Sequence, residues 1–222
     1  RRGQDGYQSK AFFDSGGGGF GQACQCPQFR SQDVLVEHVP CHYWRISVVC
    51  GARELLFLRH AKSDWRVAGS DFERPLSKRG RRDAPRVGRW LHRQGLRPDL
   101  VISSPALRAR QTALDVCKAF GIGENRIGWE ARVYDASLQT LWRVLTECNR
   151  RADRVLLVGH NPGLALLLAH LCPTLELPPD GKVLPTATLA RIRVPADWGT
   201  LESGSGVLLS LTRPAAMDTD PE

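Results

Sequence analysis

The sequence predicts an α/β fold, a three-layer α/β/α sandwich with helices on both faces of a mostly parallel sheet. Three observations carry that prediction. Short apolar runs without helical period fall at 54–58, 99–102 and 154–158, as in strands buried on both faces. Amphipathic segments of helical spacing alternate with them. Two more extended segments, 188–194 and 207–211, lie close enough in sequence to pair antiparallel at or near an edge of the sheet.

Residues 1–53 differ in character from the rest of the chain. They hold a run of glycines at 16–19, scattered Gln and Ser, and no sustained period, so a low-complexity, disordered leader is expected. Gly16, Gly18 and Gly21 match GxGxxG by spacing, but no convincing strand precedes them and Cys24-Gln25-Cys26-Pro27 comes next, so the match is read as chance. The packed domain is expected over 54–214. After its first strand comes a polar loop, 62–73, and then Ser77, a suitable N-cap for a helix from Lys78 to Gln94 with Ala84, Val87, Trp90 and Leu91 on one face. Gly95 ends it. A helix over 106–120 comes after the second strand. A short strand is expected within 127–133, then a helix over 138–150. The third buried strand leads through Gly159-His160-Asn161-Pro162-Gly163 into an apolar helix over 164–171. Residues 196–206 read as a turn region between the last two strands, and 215–222 as a disordered polar tail.

The bulk composition is that of a globular protein, with 42% hydrophobic and 24% charged residues. The net charge of +8 and pI near 9.5 favour an anionic partner. The basic residues are scattered arginines at helix-like spacing rather than a lysine-rich run, which disfavours nucleic acid. Of seven cysteines, Cys117, Cys148 and Cys172 sit in apolar context and read as reduced core residues. Cys24, Cys26, Cys41 and Cys50 have CxC rather than CxxC spacing, so no metal site is expected. No signal-like start and no apolar run of about 18 residues occurs, and the expected location is cytoplasmic, without a membrane partner.

Three of the strands end in polar residues: Arg59-His60, Ser103-Ser104 with Arg108 soon after, and Gly159-His160. In a parallel sheet these ends share one rim, where ligands of such folds bind. Two arginines and two histidines clustered there are costly without a counter-ion, and phosphate is the natural one. Arg74, just ahead of a helix, could join them.

The segments Leu58-Arg59-His60-Ala61, Arg74-Pro75-Leu76-Ser77, Ser103 to Thr112 and Val158-Gly159-His160-Asn161-Pro162 resemble the histidine phosphatase superfamily, of phosphoglycerate-mutase-like fold. Within it the chain is similar to the SixA branch of phosphohistidine phosphatases, through Arg59-His60-Ala61-Lys62-Ser63, Tyr134-Asp135-Ala136-Ser137 and Asp197-Trp198. The resemblance covers about residues 54–214. It implies that His60 is the nucleophile, that Arg59 and Arg108 clamp phosphate oxygens, that His160 donates hydrogen bonds to the transferring group, and that Arg74 contacts the phosphate. No metal and no cofactor are implied. Ala61 stands where the superfamily usually has Gly. The general acid has no clean match. Glu130, Asp135 and Asp64 are candidates, and Asp135 is preferred. Phosphoramidates need such an acid less than oxygen esters do. The expected activity is therefore hydrolysis of protein phosphohistidine through a phospho-His60 intermediate. The alternatives are a small phosphomonoester substrate, or a non-catalytic phosphate- or nucleic-acid-binding protein. The sequence leaves the oligomeric state open.

Overall fold

The computed structural model describes residues 53–148, 151–176 and 178–218. The glycine run, the four N-terminal cysteines and all of the expected leader except Arg53 lie outside them. The described residues form one six-stranded sheet and four α-helices. In chain order these are β1 (Arg53–Arg59), α1 (Lys78–Arg93), β2 (Leu100–Ser103), α2 (Leu107–Lys118), β3 (Ile127–Trp129), α3 (Leu138–Thr146), β4 (Arg154–Gly159), α4 (Gly163–Leu171), β5 (Leu189–Val194) and β6 (Val207–Thr212).

The strand order is β3-β2-β4-β1-β5-β6. The first four are parallel to one another, while β5 runs antiparallel to both β1 and β6. Alternate residues of each central strand feed opposite cores, the consequence of a two-residue side-chain period. Leu55 and Phe57 with Val155 and Leu157 face α3 and α4, while Leu56 and Leu58 with Leu156 and Val158 face α1 and α2. All eight are fully buried, which is why these strands read as unbroken apolar runs.

The helices start where local chemistry allows. Ser77 caps α1 by accepting from the Gly80 N–H, and Ser137 caps α3 by accepting from the Thr140 N–H. At α2 no side chain caps. The Leu107 N–H instead donates to the Phe72 carbonyl at 2.9 Å, which ties the 62–75 loop to the start of that helix. At α4, a Cβ on Gly163 would lie 2.2 Å from the Ala136 carbonyl oxygen, so only glycine lets the helix start press against that loop.

Several boundaries differ from the sequence expectation. The strand at 127–133 stops at Trp129. Glu130 then accepts from the Arg132 N–H and turns 131–133 into a 3₁₀ segment. α3 ends at Thr146. The packing also continues past 214. Pro214–Met217 form a 3₁₀ turn, Met217 is fully buried against α1, and Arg93 donates to its carbonyl at 2.6 Å. The expected tail is thus held by the domain as far as Asp218, which Arg86 meets at 2.7 Å. In the 196–206 region Trp198 is fully buried, its indole N–H donating to the Ala152 carbonyl at 2.9 Å. Cys117, Cys148 and Cys172 are free and buried, and burial pushes the Cys117 thiol up to about 11. No described helix is long and apolar enough to cross a membrane.

Candidate active site

Parallel pairing fixes the site. Arg59 is level with Gly159, and Ser103 with Val158, so β1, β2 and β4 end side by side. The next residue of β1 is His60 and of β4 is His160, and their ring centroids stand 5.0 Å apart. Arg108, second residue of α2, lies beside them. Thr112, one turn further on, locks that arrangement: its hydroxyl accepts from the Ala61 N–H at 3.0 Å and donates to the Arg108 carbonyl at 2.6 Å.

His60 is 7% exposed. Its Nδ1 lies 2.8 Å from the Ala61 carbonyl, an acceptor only, so Nδ1 carries the proton. The Nε2 lone pair then faces outward to the Arg108 Nε, which donates to it at 3.3 Å. Burial, and the positive charge of the neighbouring groups, bring the imidazole down to about 3 despite the opposing Ala61 bond. It is neutral at physiological pH. His160 is 8% exposed, and burial followed by the Arg108 charge lowers it to about 4. Its Nε2 pairs with the Ser104 hydroxyl at 2.8 Å, while Nδ1 is buried without a partner.

Three guanidinium groups converge here. Arg59 donates from Nη1 to the Leu184 carbonyl at 2.9 Å, but its buried Nε has no partner. Burial and the Arg108 charge lower its pKa. Arg74 lies over the Trp65 ring at 3.4 Å, and its Nε is likewise buried and unpaired. Buried donors are rarely left unpaired. The orphaned Nε groups of Arg59 and Arg74 fit an oxyanion, which accepts only.

The negative charge at this cluster comes from Asp71. Its carboxylate takes Arg108 Nη2 at 2.8 Å, Arg74 Nη2 at 2.7 Å and the Tyr134 hydroxyl at 3.1 Å. Its carbonyl takes Arg108 Nη1 at 2.5 Å. Partial burial raises its pKa, but the bonds and charges of Arg108, Tyr134 and Arg74 outweigh that and hold it below the ordinary carboxylate value. A cavity of about 360 Å³ opens beside it, walled by Asp71, Arg108, Tyr134, Asp135, His160 and Asn161.

The structure thus brings Arg59, His60, Arg74, Arg108 and His160 together, as the strand-end reading expects. Asp135 is also on the cavity wall, in a left-handed conformation (φ 47°) that Asp tolerates. The other two acid candidates are occupied elsewhere. Asp64 is held by Arg66, and Glu130 by Arg132. Sequence reasoning gave no role to Asp71, Tyr134 or Thr112, and placed Ser104 on the rim without naming His160 as its partner. Tyr134 and Thr112 stand in segments that carry the family resemblance, and Asp71 stands three residues before Arg74. No group of three or more His, Cys, Asp or Glu side chains among the described residues is placed to hold a metal ion.

Comparisons with known proteins agree with this geometry. The family model for the histidine phosphatase superfamily (branch 1) matches residues 55–132. An uncharacterized protein from Mycobacterium tuberculosis is 34% identical over 165 residues, which span 71% of this chain and 99% of that protein. The phosphohistidine phosphatase SixA of Escherichia coli is 29% identical over 160 residues, 69% of this chain and 89% of that one. A solved structure of a candidate phosphohistidine phosphatase SixA from Nakamurella multipartitia superposes with a TM-score of 0.64 at 27% identity, covering 75% of this chain and 98% of that chain.

Proposed function

The chain belongs to the histidine phosphatase superfamily, and from that premise we propose that it hydrolyses phosphohistidine in a protein partner through a phospho-His60 intermediate. The observation that carries this reading is the state of His60: buried, neutral, its proton fixed on Nδ1 by the Ala61 carbonyl and its Nε2 lone pair presented to Arg108. A neutral imidazole whose free nitrogen faces a cationic oxyanion site is a competent phosphoryl acceptor.

In the first step the Nε2–P bond forms as the substrate's P–N bond breaks. The phosphoryl oxygens take up the guanidinium donors of Arg59, Arg74 and Arg108, and His160 Nδ1 can donate when Ser104 supplies the proton shared with Nε2. The departing imidazole leaves neutral if its distal nitrogen is already protonated, so no strong protein acid is needed. Water then attacks phosphorus, the His60 N–P bond breaks, and inorganic phosphate leaves with the His60 lone pair restored. A carboxylate as strongly cation-bound as Asp71 is a poor proton donor, and this favours a phosphoramidate over an alkyl phosphate. The proposed reaction uses no metal and no cofactor. A cytoplasmic location belongs to this proposal.

The second reading is a small phosphomonoester substrate. It is favoured by Asp135 on the cavity wall, a carboxyl group that an alkoxide leaving group could use. The two are separated by measuring turnover of phosphohistidine peptide and of a simple phosphomonoester. The expected result is faster turnover of the phosphohistidine peptide, phosphate on His60 in quenched samples by mass spectrometry, and loss of both in His60→Ala. Hydrolysis that survives His60→Ala would overturn the mechanism. Equal turnover of the two substrates would favour the second reading.

A further inference from the structure

A second cavity, of about 390 Å³, lies outside the site described above. It runs between the N-terminal half of α1, the loop at 180–188 and the chain after β6. Its walls carry Lys62, Arg79, Arg82, Arg86, Lys182 and Arg213. None of Arg59, His60, Arg74, Arg108 or His160 lines it.

The cations there exceed what the protein supplies to neutralise them. Two carboxylates, Asp83 and Asp180, line the cavity against six basic side chains, and Asp218 meets Arg86 from outside it at 2.7 Å, which leaves a surplus of three positive charges. Asp83, 2% exposed, is shared by Arg79 at 3.2 Å, Arg82 at 3.3 Å and Arg86 at 3.7 Å. Arg213 holds both oxygens of Asp180, at 2.8 and 2.7 Å. The first turn of α1 has no acidic residue, so Arg79 lies at the positive end of the helix dipole. That arrangement is costly, and Asp83, shared with two other arginines, offsets it only in part. Close packing enforces it. A Cβ on Gly80 would lie 2.2 Å from the Lys62 carbonyl oxygen, so glycine is what lets Lys62 and the start of α1 share one wall.

A second observation points to a ligand. Thr188, a lining residue, is fully buried and its hydroxyl has no hydrogen-bond partner within the protein. A buried hydroxyl is normally paired. No aromatic ring lines the cavity, so a nucleobase has nothing to stack on, and recognition rests on charge. The volume is that of a small-molecule site rather than of a polymer track. We infer that this groove is a second anion site, which takes a small oligophosphate through its di- or triphosphate group.

The groove is separate from the catalytic pocket but shares a wall with it. The Ala187 N–H donates to the carbonyls of Arg59 and His60, at 3.1 and 3.2 Å, while Pro185, Thr186 and Thr188 face the groove. The test is therefore built to count sites. The full-length chain carrying His60→Ala is titrated with inorganic tripolyphosphate by calorimetry at 0.15 M salt. The same titration is repeated with Arg79→Ser and Arg82→Ser added; these side chains are 63% and 65% exposed, so the fold tolerates their loss. Binding at the groove is expected to weaken at least tenfold, while the same pair of substitutions in the otherwise unaltered enzyme leaves turnover of a small phosphoester unchanged. Thr188→Val is expected to weaken binding several-fold while raising the melting temperature of the free protein. Tripolyphosphate binding that ignores the arginine substitutions would overturn the site. Displacement of tripolyphosphate by an acidic peptide or single-stranded DNA at lower concentration would overturn the ligand class.

Discussion

At the residue scale the site is a problem in placing one proton and neutralising three guanidiniums. The Ala61 carbonyl settles the tautomer of His60, and burial settles its charge. Asp71 is the less expected element. It sits on Arg74 and Arg108, the donors that the proposed reaction assigns to the phosphoryl group. It is half exposed, so its pairs are screened and readily exchanged for another anion. Asp71→Asn is expected to tighten inhibition by inorganic phosphate by on the order of tenfold, by removing one competing negative charge. Phosphate inhibition constants check this. Unchanged inhibition would show that Asp71 and phosphate use different donors.

At the element scale, strand ends and helix starts do the positioning. β1 and β4 are parallel and in register, so His60 and His160 emerge together. The Phe72 carbonyl holds the first turn of α2, which carries Arg108 beside Asp71. At the start of α4, Gly163 lets the helix press against the Ala136 carbonyl just beyond His160. A methyl group there must push the helix or the 134–137 loop aside. Gly163→Ala is expected to cost about 1–3 kcal/mol in urea unfolding and to lower turnover through displacement of His160. Wild-type turnover in a destabilised variant would show that α4 shifts without carrying the imidazole with it.

At the scale of the whole molecule, two cores flank one sheet and the chain end closes one of them. Met217→Ala is expected to destabilise the domain by about 2 kcal/mol, as a buried side chain is truncated. A denaturation midpoint equal to wild type would show that the last turn adds nothing. The two site histidines also make the fold acid-sensitive. Each is lowered, to about 3 for His60 and about 4 for His160, from an ordinary value of 6.5. Below pH 6.5 the unfolded chain therefore binds more protons at these sites than the folded one, and stability rises with pH. The favourable contribution is complete above about pH 6.5 and is lost progressively on acidification toward pH 3–4. Urea midpoints measured from pH 7 to pH 4 should fall, and His60→Gln with His160→Gln should flatten that slope. Equal slopes would assign the acid sensitivity to other groups.

The sequence by itself determined the class of fold, the site cations and the two histidines. Strands buried on both faces must be apolar throughout, so 54–58 and 154–158 stood out, and their polar ends stood out in turn. Ser77 was legible as a cap because a side-chain oxygen just ahead of an amphipathic run can accept from the free N–H groups of the first turn. What no local pattern encodes was decided in three dimensions. Trp198 and Met217 are core residues in segments without period, buried only because other elements pass over them. Asp71 meets Arg108 across 37 positions, through a backbone bond from Leu107 to Phe72. Among the candidate acids Asp64, Glu130 and Asp135, the sequence preferred Asp135 but offered no clean match for any of them. Nearby arginines occupy the first two, and only Asp135 reaches the cavity. Chain composition fixes which groups can carry charge. Long-range packing decides which of them face one another, because that depends on distances set by the whole sheet.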